Sequence, residues 1–501
     1  MPQEMSAQRR VDFDILRQTG MIAADELDYW RTHAVPERTC DGARVADLLL
    51  RIARFLGSAP DYPAALALLM RRQVIRNDYW KENAVAGKTC QGEYVGNLIG
   101  EAAGPVGETD LRRRFPVKPG LIPGPDPTPF AAAPLRSYNY VLGTQTFGAA
   151  YQFTRKPLLS ETVEAIRDLG ASVVKFEISP RYADPRGNVP ARRAGIDSLT
   201  SLVRDEPTHR QVFDLPFADF VLWAHTFTGG GTAFLNGLRP DDRDREYREM
   251  YDLTAHLLRT YSGTGKRFFL GHWEGDGWLR GTVAAENDEK VTPTAVQGMI
   301  DWLNTRQKAI EAARRATPHR AVQVWHYTEV NHVKLSMHGR KSLVSEVLPG
   351  TNVDFVSYSA YDTAGDPTLL KAALTFIEGK LPRKPSLRGR RVFIGEYGFP
   401  TAYHSPAEQE RLSRQVMRAG LEWGCPFILY WELYNNDVDA EGRQRGFHLI
   451  DENGNRQPVY ETHARFLKRA REYVARSARS ARAGSPLPSF DAFRRVALTL
   501  L

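Results

Sequence analysis

Several carboxylates, tryptophans, histidines and amides of this 501-residue chain directly follow short apolar runs. RFFLG leads into His272-Trp273-Glu274-Gly275-Asp276, RVFIG into Glu396-Tyr397-Gly398, and FILYW into Glu432. The other runs deliver Lys175 and Glu177, Trp223 and His225, His326 followed by Glu329 and Asn331, and Tyr358, Tyr361 and Asp362. Positioned carboxylates supply general acids, bases and nucleophiles. Aromatic faces stack on sugar rings, and carboxylates and amides bind hydroxyls. Phosphate chemistry lacks its signatures, since there is no Gly-x-Gly-x-x-Gly turn after the first run and no Walker loop. His-Glu-x-x-His and Gly-x-Ser-x-Gly are also missing. Nothing fixes a metal-ligand spacing among the histidines, and no cofactor is required. Cys40, Cys90 and Cys425 are too few for a disulfide framework.

These residues need elements to hold them. Eight β-rich runs begin at Tyr140, Ser172, Phe217, Arg267, Ala321, Val353, Arg391 and Pro426. Helical segments alternate with them, including Leu159–Leu169, Asp244–Tyr261, Val296–Thr317, Pro367–Glu378, Ala407–Gly424 and Val459–Ser480. Near-continuous apolar strands alternating with helices specify a parallel sheet, and eight such units specify a (β/α)₈ TIM barrel. Reacting groups then sit at the C-terminal strand ends. Period-two reading puts Phe268, Leu270, His272 and Glu274 on one side of strand 4, and Val392, Ile394 and Glu396 on one side of strand 7. Both glutamates are thereby expected to point at the barrel axis from opposite sides of its mouth, where they can flank a glycosidic bond. A separation of about 5–5.5 Å allows direct attack and retention, whereas about 6.5–9.5 Å leaves room for water and inverts. Glu329 and Asp276 are the rival acids. Glu177 and Glu432 are expected as substrate contacts or as buried charges paired with Lys175 or a histidine. His225, His272 and His326 are expected as hydrogen-bonding rim residues.

On these motifs, IGEYGFP around Glu396, LYWELYNN around Trp431 and the later GFHLIDENGNRQPVY, strands 4 to 8 resemble clan A glycoside hydrolases such as families 5 and 39. The resemblance spans about 138–480. It implies a retaining two-glutamate hydrolase of an oligo- or polysaccharide, with Glu274 as acid/base, Glu396 as nucleophile and Trp431 as a sugar platform. It also implies a strand-6 tyrosine bonded to the nucleophile, Tyr361 in preference to Tyr358. The chain departs from the clan at Trp273, where an asparagine that binds the sugar 2-hydroxyl usually precedes the acid. Asn331, His272 or His225 is the candidate for that contact. Two other readings have different consequences. A catalytically silent glycan-binding barrel would tolerate loss of both glutamates, and a barrel lyase or metal-dependent hydrolase would need another group.

Residues 1–103 read as a small all-α domain of two repeats. Asp28-Tyr29-Trp30 recurs as Asp78-Tyr79-Trp80, and cores 28–50 and 78–100 also share Ala-Val, Thr-Cys, Gly, Val and Leu positions. Such units are too small to bury a core alone, so the copies should pack on each other or on the barrel. Asp28 and Asp78 are expected as helix caps, the Tyr-Trp pairs as core anchors, and glycan or protein docking as a further role. Residues 104–137, with six prolines from Pro116 to Pro129, read as a semi-rigid linker. Residues 138–483 form the barrel and 484–501 a tail. The net charge of +8 is mild for 67 basic and 59 acidic residues. Without a recognisable module it gives no reason to expect nucleic acid. No apolar run approaches the ~20 residues of a membrane span, and Met1–Arg17 lacks a signal-peptide core, so a cytoplasmic location is expected.

Overall fold

The computed structural model describes residues 7–122, 130, 134–184, 188–227, 233–281, 288–480 and 487–501. They form two compact units, 1–117 and 118–501.

In the first unit the two sequence copies meet through an antiparallel pair of short strands, Thr39–Asp41 and Thr89–Gln91, with Cys40 opposite Cys90. The helix after each strand begins at a glycine, Gly42 or Gly92. Each glycine N–H crosses to the other copy, Gly42 to the Lys88 carbonyl at 2.9 Å and Gly92 to the Arg38 carbonyl at 2.7 Å. A Cβ on Gly42 would lie 2.4 Å from the Val85 carbonyl oxygen, and one on Gly92 2.1 Å from that of His33. Backbone approaches that close admit only glycine. Gly42→Ala or Gly92→Ala is therefore expected to cost this unit about 3 kcal/mol by overpacking, checked by denaturant unfolding of each variant. Trp30 and Trp80 are buried in the shared core, as expected. Tyr29 and Tyr79 accept bonds from the Asp41 and Gln91 amides, each at 2.7 Å. The expected aspartate caps are not made. Asp28 lies inside helix Leu27–His33, and Asp78 precedes its helix without a side-chain cap. Asp41 caps instead, accepting from the Arg44 amide at 2.9 Å.

The proposed linker start at 104 is corrected by the helix Gly92–Arg114, which runs through Pro105 and buries Val106 and Leu111. Val106 and Leu111 continue the apolar face past the glycine-proline pair, which outweighs that pair as a stop signal. Within 104–137, residues 123–129 and 131–133 lie outside the described residues. Phe130 plugs the lower end of the barrel, 5.2 Å from the Phe427 ring and under the Arg267 guanidinium.

The second unit is a closed eight-stranded parallel barrel ringed by helices, the (β/α)₈ fold. Its strands are strand 1 (Leu142–Thr146), 2 (Val173–Ile178), 3 (Asp219–Ala224), 4 (Arg267–Gly271), 5 (Gln323–Val330), 6 (Phe355–Ser359), 7 (Val392–Tyr397) and 8 (Ile428–Tyr430). Strand 8 pairs with strand 1 in parallel register, Ile428 opposite Leu142, and closes the ring. Val173, Val221, Phe269, Phe355, Phe393 and Leu429 fill the interior as one cluster. The expected tail is corrected as well. Ser489 caps helix Phe490–Leu500, whose Phe493 packs on Tyr138 and whose Arg494 donates to the carbonyls of Leu421 and Ile122. Phe490, Phe493 and Ala497 recur at helical spacing, so this stretch has an apolar stripe to bury. Among the described residues no helix is long and apolar enough to cross a membrane.

Candidate active site

The faces expected for strands 4 and 7 are reversed. Phe268 packs on Phe213 and Tyr261, on the helix side, and Phe269 is the interior residue. A Cβ built on helix residue Gly420 would lie 3.1 Å from Ile394 and 2.6 Å from Ile428, so both isoleucines face outward. A regular strand 7 would then turn Glu396 towards the helices. The ladder slips instead. Tyr358 pairs with Ile394, but Ser359 pairs with Glu396, a one-residue bulge at Gly395. Such a bulge re-aims the following side chain, and Glu396 enters the barrel. Glu274 also escapes the parity argument, because strand 4 ends at Gly271 and Glu274 sits in the turn before helix Gly275–Arg280.

Inside the mouth, Lys175 holds the carboxylates together. Its Nζ lies 2.9 Å from Glu396 Oε1 and 2.8 Å from Glu329 Oε2, and it donates to the Gly395 carbonyl at 3.2 Å. All three charged side chains are buried. Tyr361 donates to Glu396 Oε2 at 3.3 Å. Glu274 is half-buried, and its Oε2 accepts from Asn331 Nδ2 at 3.0 Å. Burial, and secondarily the neighbouring Glu329 charge, push the Glu274 carboxyl up to about 8. Burial also raises Glu396, opposed by the Lys175 ammonium in direct contact. That direct contact favours the ionised form of Glu396, whereas Glu274 is bonded to a neutral amide.

A cavity of ≈ 680 Å³ adjoins this cluster, lined by Phe147, Trp223, Trp273 and Trp431 with Glu177 and Arg181 among its polar members. Trp223 is the common wall, its ring 4.7 Å from the Lys175 ammonium. Trp273 is exposed, and Trp431 stacks on Phe147 at 5.3 Å. Buried Trp223 Nε1 and Asn331 Oδ1 have no hydrogen-bond partner among the described residues, so polar atoms remain for a ligand. A second cavity of ≈ 650 Å³ lies against helices Leu199–Asp205 and Pro240–Thr260, away from the strand ends, and is lined by Arg204, Arg245 and Asp252.

The structure thus assembles Glu274, Glu329, Glu396, Asn331 and Tyr361, and places Trp273, Trp431 and Glu177 at the cavity. His225 is half-buried against Trp278, with Nε2 4.0 Å from Glu177, and burial lowers it far below the usual histidine range. Three expectations place residues where the structure does not. His272 turns outward, bonded to Thr328 at 2.7 Å and packed on Trp302, with burial lowering it to about 4. His326 is buried beside Gln307. Tyr358 is fully buried with its hydroxyl on Asp362 and Thr363, so it does not reach the cavity. The reason is common to all three: the strand parity that points Ser357 and Tyr327 inward points their neighbours outward. Glu177 and Glu432 do not pair with Lys175. Glu177 is 3.5 Å from Arg181, and Glu432, joined to Trp431 by a cis peptide bond, accepts from the amides of Phe147 and Asn436. Asp276 is a buried anchor that accepts from the Asn331 and Leu343 amides. The decisive addition is Lys175. Its signal in the sequence is a lysine two residues after Val173 on a strand flanked by apolar residues, where a charge needs a partner. Among the described residues no group of three His, Cys, Asp or Glu side chains is placed to hold a metal.

No protein-family model and no curated protein sequence matches the chain. Solved structures of similar overall topology include a family 39 glycoside hydrolase from the gut symbiont Bacteroides cellulosilyticus WH2. It is 11% identical over 66% of this chain and 64% of that one, under two thirds of its length, with a TM-score of 0.42. A GH5_18 protein from Bifidobacterium longum subsp. infantis is 14% identical over 66% and 78%, with a TM-score of 0.45. Xylanase 10B from Thermotoga maritima is 12% identical over 69% and 99%, with a TM-score of 0.40.

Proposed function

We propose that the barrel is a retaining glycoside hydrolase acting on an oligo- or polysaccharide. The observation that carries this reading is the pair of unlike glutamates beside a tryptophan-lined cavity: Glu396 is bonded to an ammonium and a tyrosine hydroxyl, and Glu274 is bonded to an amide. The ammonium in contact with Glu396 favours its anion, and the neutral amide on Glu274 does not, which is the asymmetry that an acid and a nucleophile require. Glu396 attacks the anomeric carbon and forms a glycosyl ester. The bond to the leaving oxygen breaks, and that oxygen takes the Glu274 proton. Glu274, now a carboxylate, takes a proton from water as the water attacks the same carbon and frees Glu396. Tyr361 steadies the Glu396 oxygen that does not meet Lys175. Trp431 and Trp273 offer faces for sugar rings, and Glu177, His225 and Asn331 offer polar partners for hydroxyls.

The acid must enter each cycle protonated, so kcat is expected to fall as pH rises through about 8, where Glu274 loses its proton. Stability follows the same group. Its folded value lies above the ordinary carboxylate value, so its contribution is complete at low pH and is lost as pH rises from about 4.5 to about 8. Glu274→Gln is expected to flatten that decline, measured by denaturant midpoints across this range.

Hydrolysis of a panel of aryl glycosides and polysaccharides tests the reading. Glu274→Ala should retain slow turnover on activated aryl glycosides, and azide should accelerate it to a glycosyl azide of retained configuration. An inverted azide product overturns the assignment. Absence of wild-type turnover, with glycan binding that survives loss of both glutamates, replaces it with a silent glycan-binding barrel.

A further inference from the structure

Glu329 is the third carboxylate of the mouth, and its geometry prevents it from reaching a substrate. It is fully buried on strand 5. Oε1 accepts from the Glu274 backbone N–H at 3.1 Å, while Oε2 accepts from Lys175 Nζ at 2.8 Å and from Ser357 Oγ at 2.7 Å. The same Lys175 Nζ continues to Glu396 at 2.9 Å. One side chain therefore touches the turn that carries the proposed acid and the cation that holds the proposed nucleophile.

We propose that Glu329 is a positioning residue that keeps the proton of the working pair on Glu274 and the negative charge on Glu396, acting through the Glu274 amide and the Lys175 ammonium. The role assigned to this pair rests on the glycoside hydrolase reading above. The argument is one of charge and reach. Three carboxylates surround one buried ammonium, which disfavours ionisation of all three at once. Lys175 contacts Glu329 and Glu396 directly, at 2.8 and 2.9 Å, and so favours negative charge on those two. Glu274 takes its hydrogen bond from a neutral amide, and the Glu329 carboxylate adjoins its backbone. The remaining proton therefore settles on Glu274. Ser357, a neutral donor on the adjacent strand, completes the shell of Glu329 without adding charge. The charged groups facing Glu274 are Glu329, Lys175, Asp276, Asp362 and Glu396. Glu396 faces Lys175, Glu329, Glu274, Tyr361 and Glu432, while Tyr327 on the same strand and His272 just after strand 4 face Glu329.

The test reads proton occupancy directly, by infrared titration of carboxyl bands in the intact chain, and needs no substrate. Between pH 5 and pH 7.5, wild type should show, besides the bands of other buried carboxyls such as Asp362, which burial raises to about 6, a protonated carboxyl band that vanishes in Glu274→Gln and persists in Glu396→Gln. In Glu329→Gln the midpoint of that band should fall by about one pH unit, since a like charge has been removed. Glu329→Asp, which keeps the charge, should restore most of the shift. Ser357→Ala should leave the midpoint in place, because it removes a hydrogen bond but no charge. An unmoved midpoint in a folded Glu329→Gln overturns the proposal. If that variant does not fold, persistence of the band in Glu274→Gln overturns it instead. Where an activity is in hand, the alkaline limb of kcat in Glu329→Gln should move with the band while KM stays within threefold. A protein with no glycosidase activity overturns the functional reading, and the titration still decides where the proton sits. An active enzyme with an unmoved midpoint overturns the positioning role alone.

Discussion

Replacing Glu396 with alanine is expected to reduce glycoside turnover by roughly 10⁴- to 10⁶-fold, the scale of losing a covalent nucleophile. No other carboxylate can take its place. Glu329 is buried and occupied on both oxygens, and Glu432 is held by two backbone amides. The same substitution is expected to leave the fold intact or to stabilise it. Wild type puts two buried carboxylates on one ammonium, and Glu396→Ala leaves a single matched pair, Lys175 with Glu329. A matched buried pair is much less costly than an unbalanced one. Initial rates on an aryl glycoside and a denaturant melt, run on one preparation, measure both halves. A residual rate within tenfold of wild type overturns the assignment of Glu396.

Lys175→Met is expected to have the opposite balance, with a loss of about 3–5 kcal/mol in stability and of nearly all activity. The methionine fills similar space but leaves Glu329 and Glu396 without their ammonium, and neither carboxylate reaches solvent. The deficit should depend on pH with a definite sign. Without Lys175 the burial that raises the Glu396 carboxyl above its unfolded value is no longer opposed. Its contribution is intact at low pH, where it is protonated, and is lost as pH rises. The gap from wild type should therefore be small near pH 4.5 and wide near pH 8, measured by urea midpoints at both values. A gap independent of pH would assign the effect to packing alone. Lys175→Met/Glu329→Gln, which removes the cation and one anion together, should recover part of the loss.

Much of the barrel could be read before any coordinates. Each of the eight strands falls on an apolar run, because a parallel strand covered on both faces has almost no polar positions to blur the pattern. The residues at the strand ends were equally visible, since rim chemistry follows the last apolar residue of each run. Which way each side chain turns was not visible. Glu396 was selected by a parity argument that fails, since Ile394 faces the helices and only the bulge at Gly395 brings Glu396 inside. His272 and Tyr358 were misplaced by the same dependence on register. In the first unit, Gly42 and Gly92 stood out as recurring glycines. The carbonyls that forbid a side chain there belong to the other copy.

By itself the sequence determined the local matters: the alternation of strands and helices, the carboxylates and tryptophans at strand ends, and the recurrence of Asp-Tyr-Trp. These follow from side-chain type and near-neighbour spacing. The tertiary structure alone decided that Lys175 meets Glu329 and Glu396, 154 and 221 residues further along the chain, and that Glu274 and Asn331 share a hydrogen bond across 57. Such pairings depend on barrel closure and on the one-residue slip in strand 7, and a change of one residue in register sends a side chain to the opposite face.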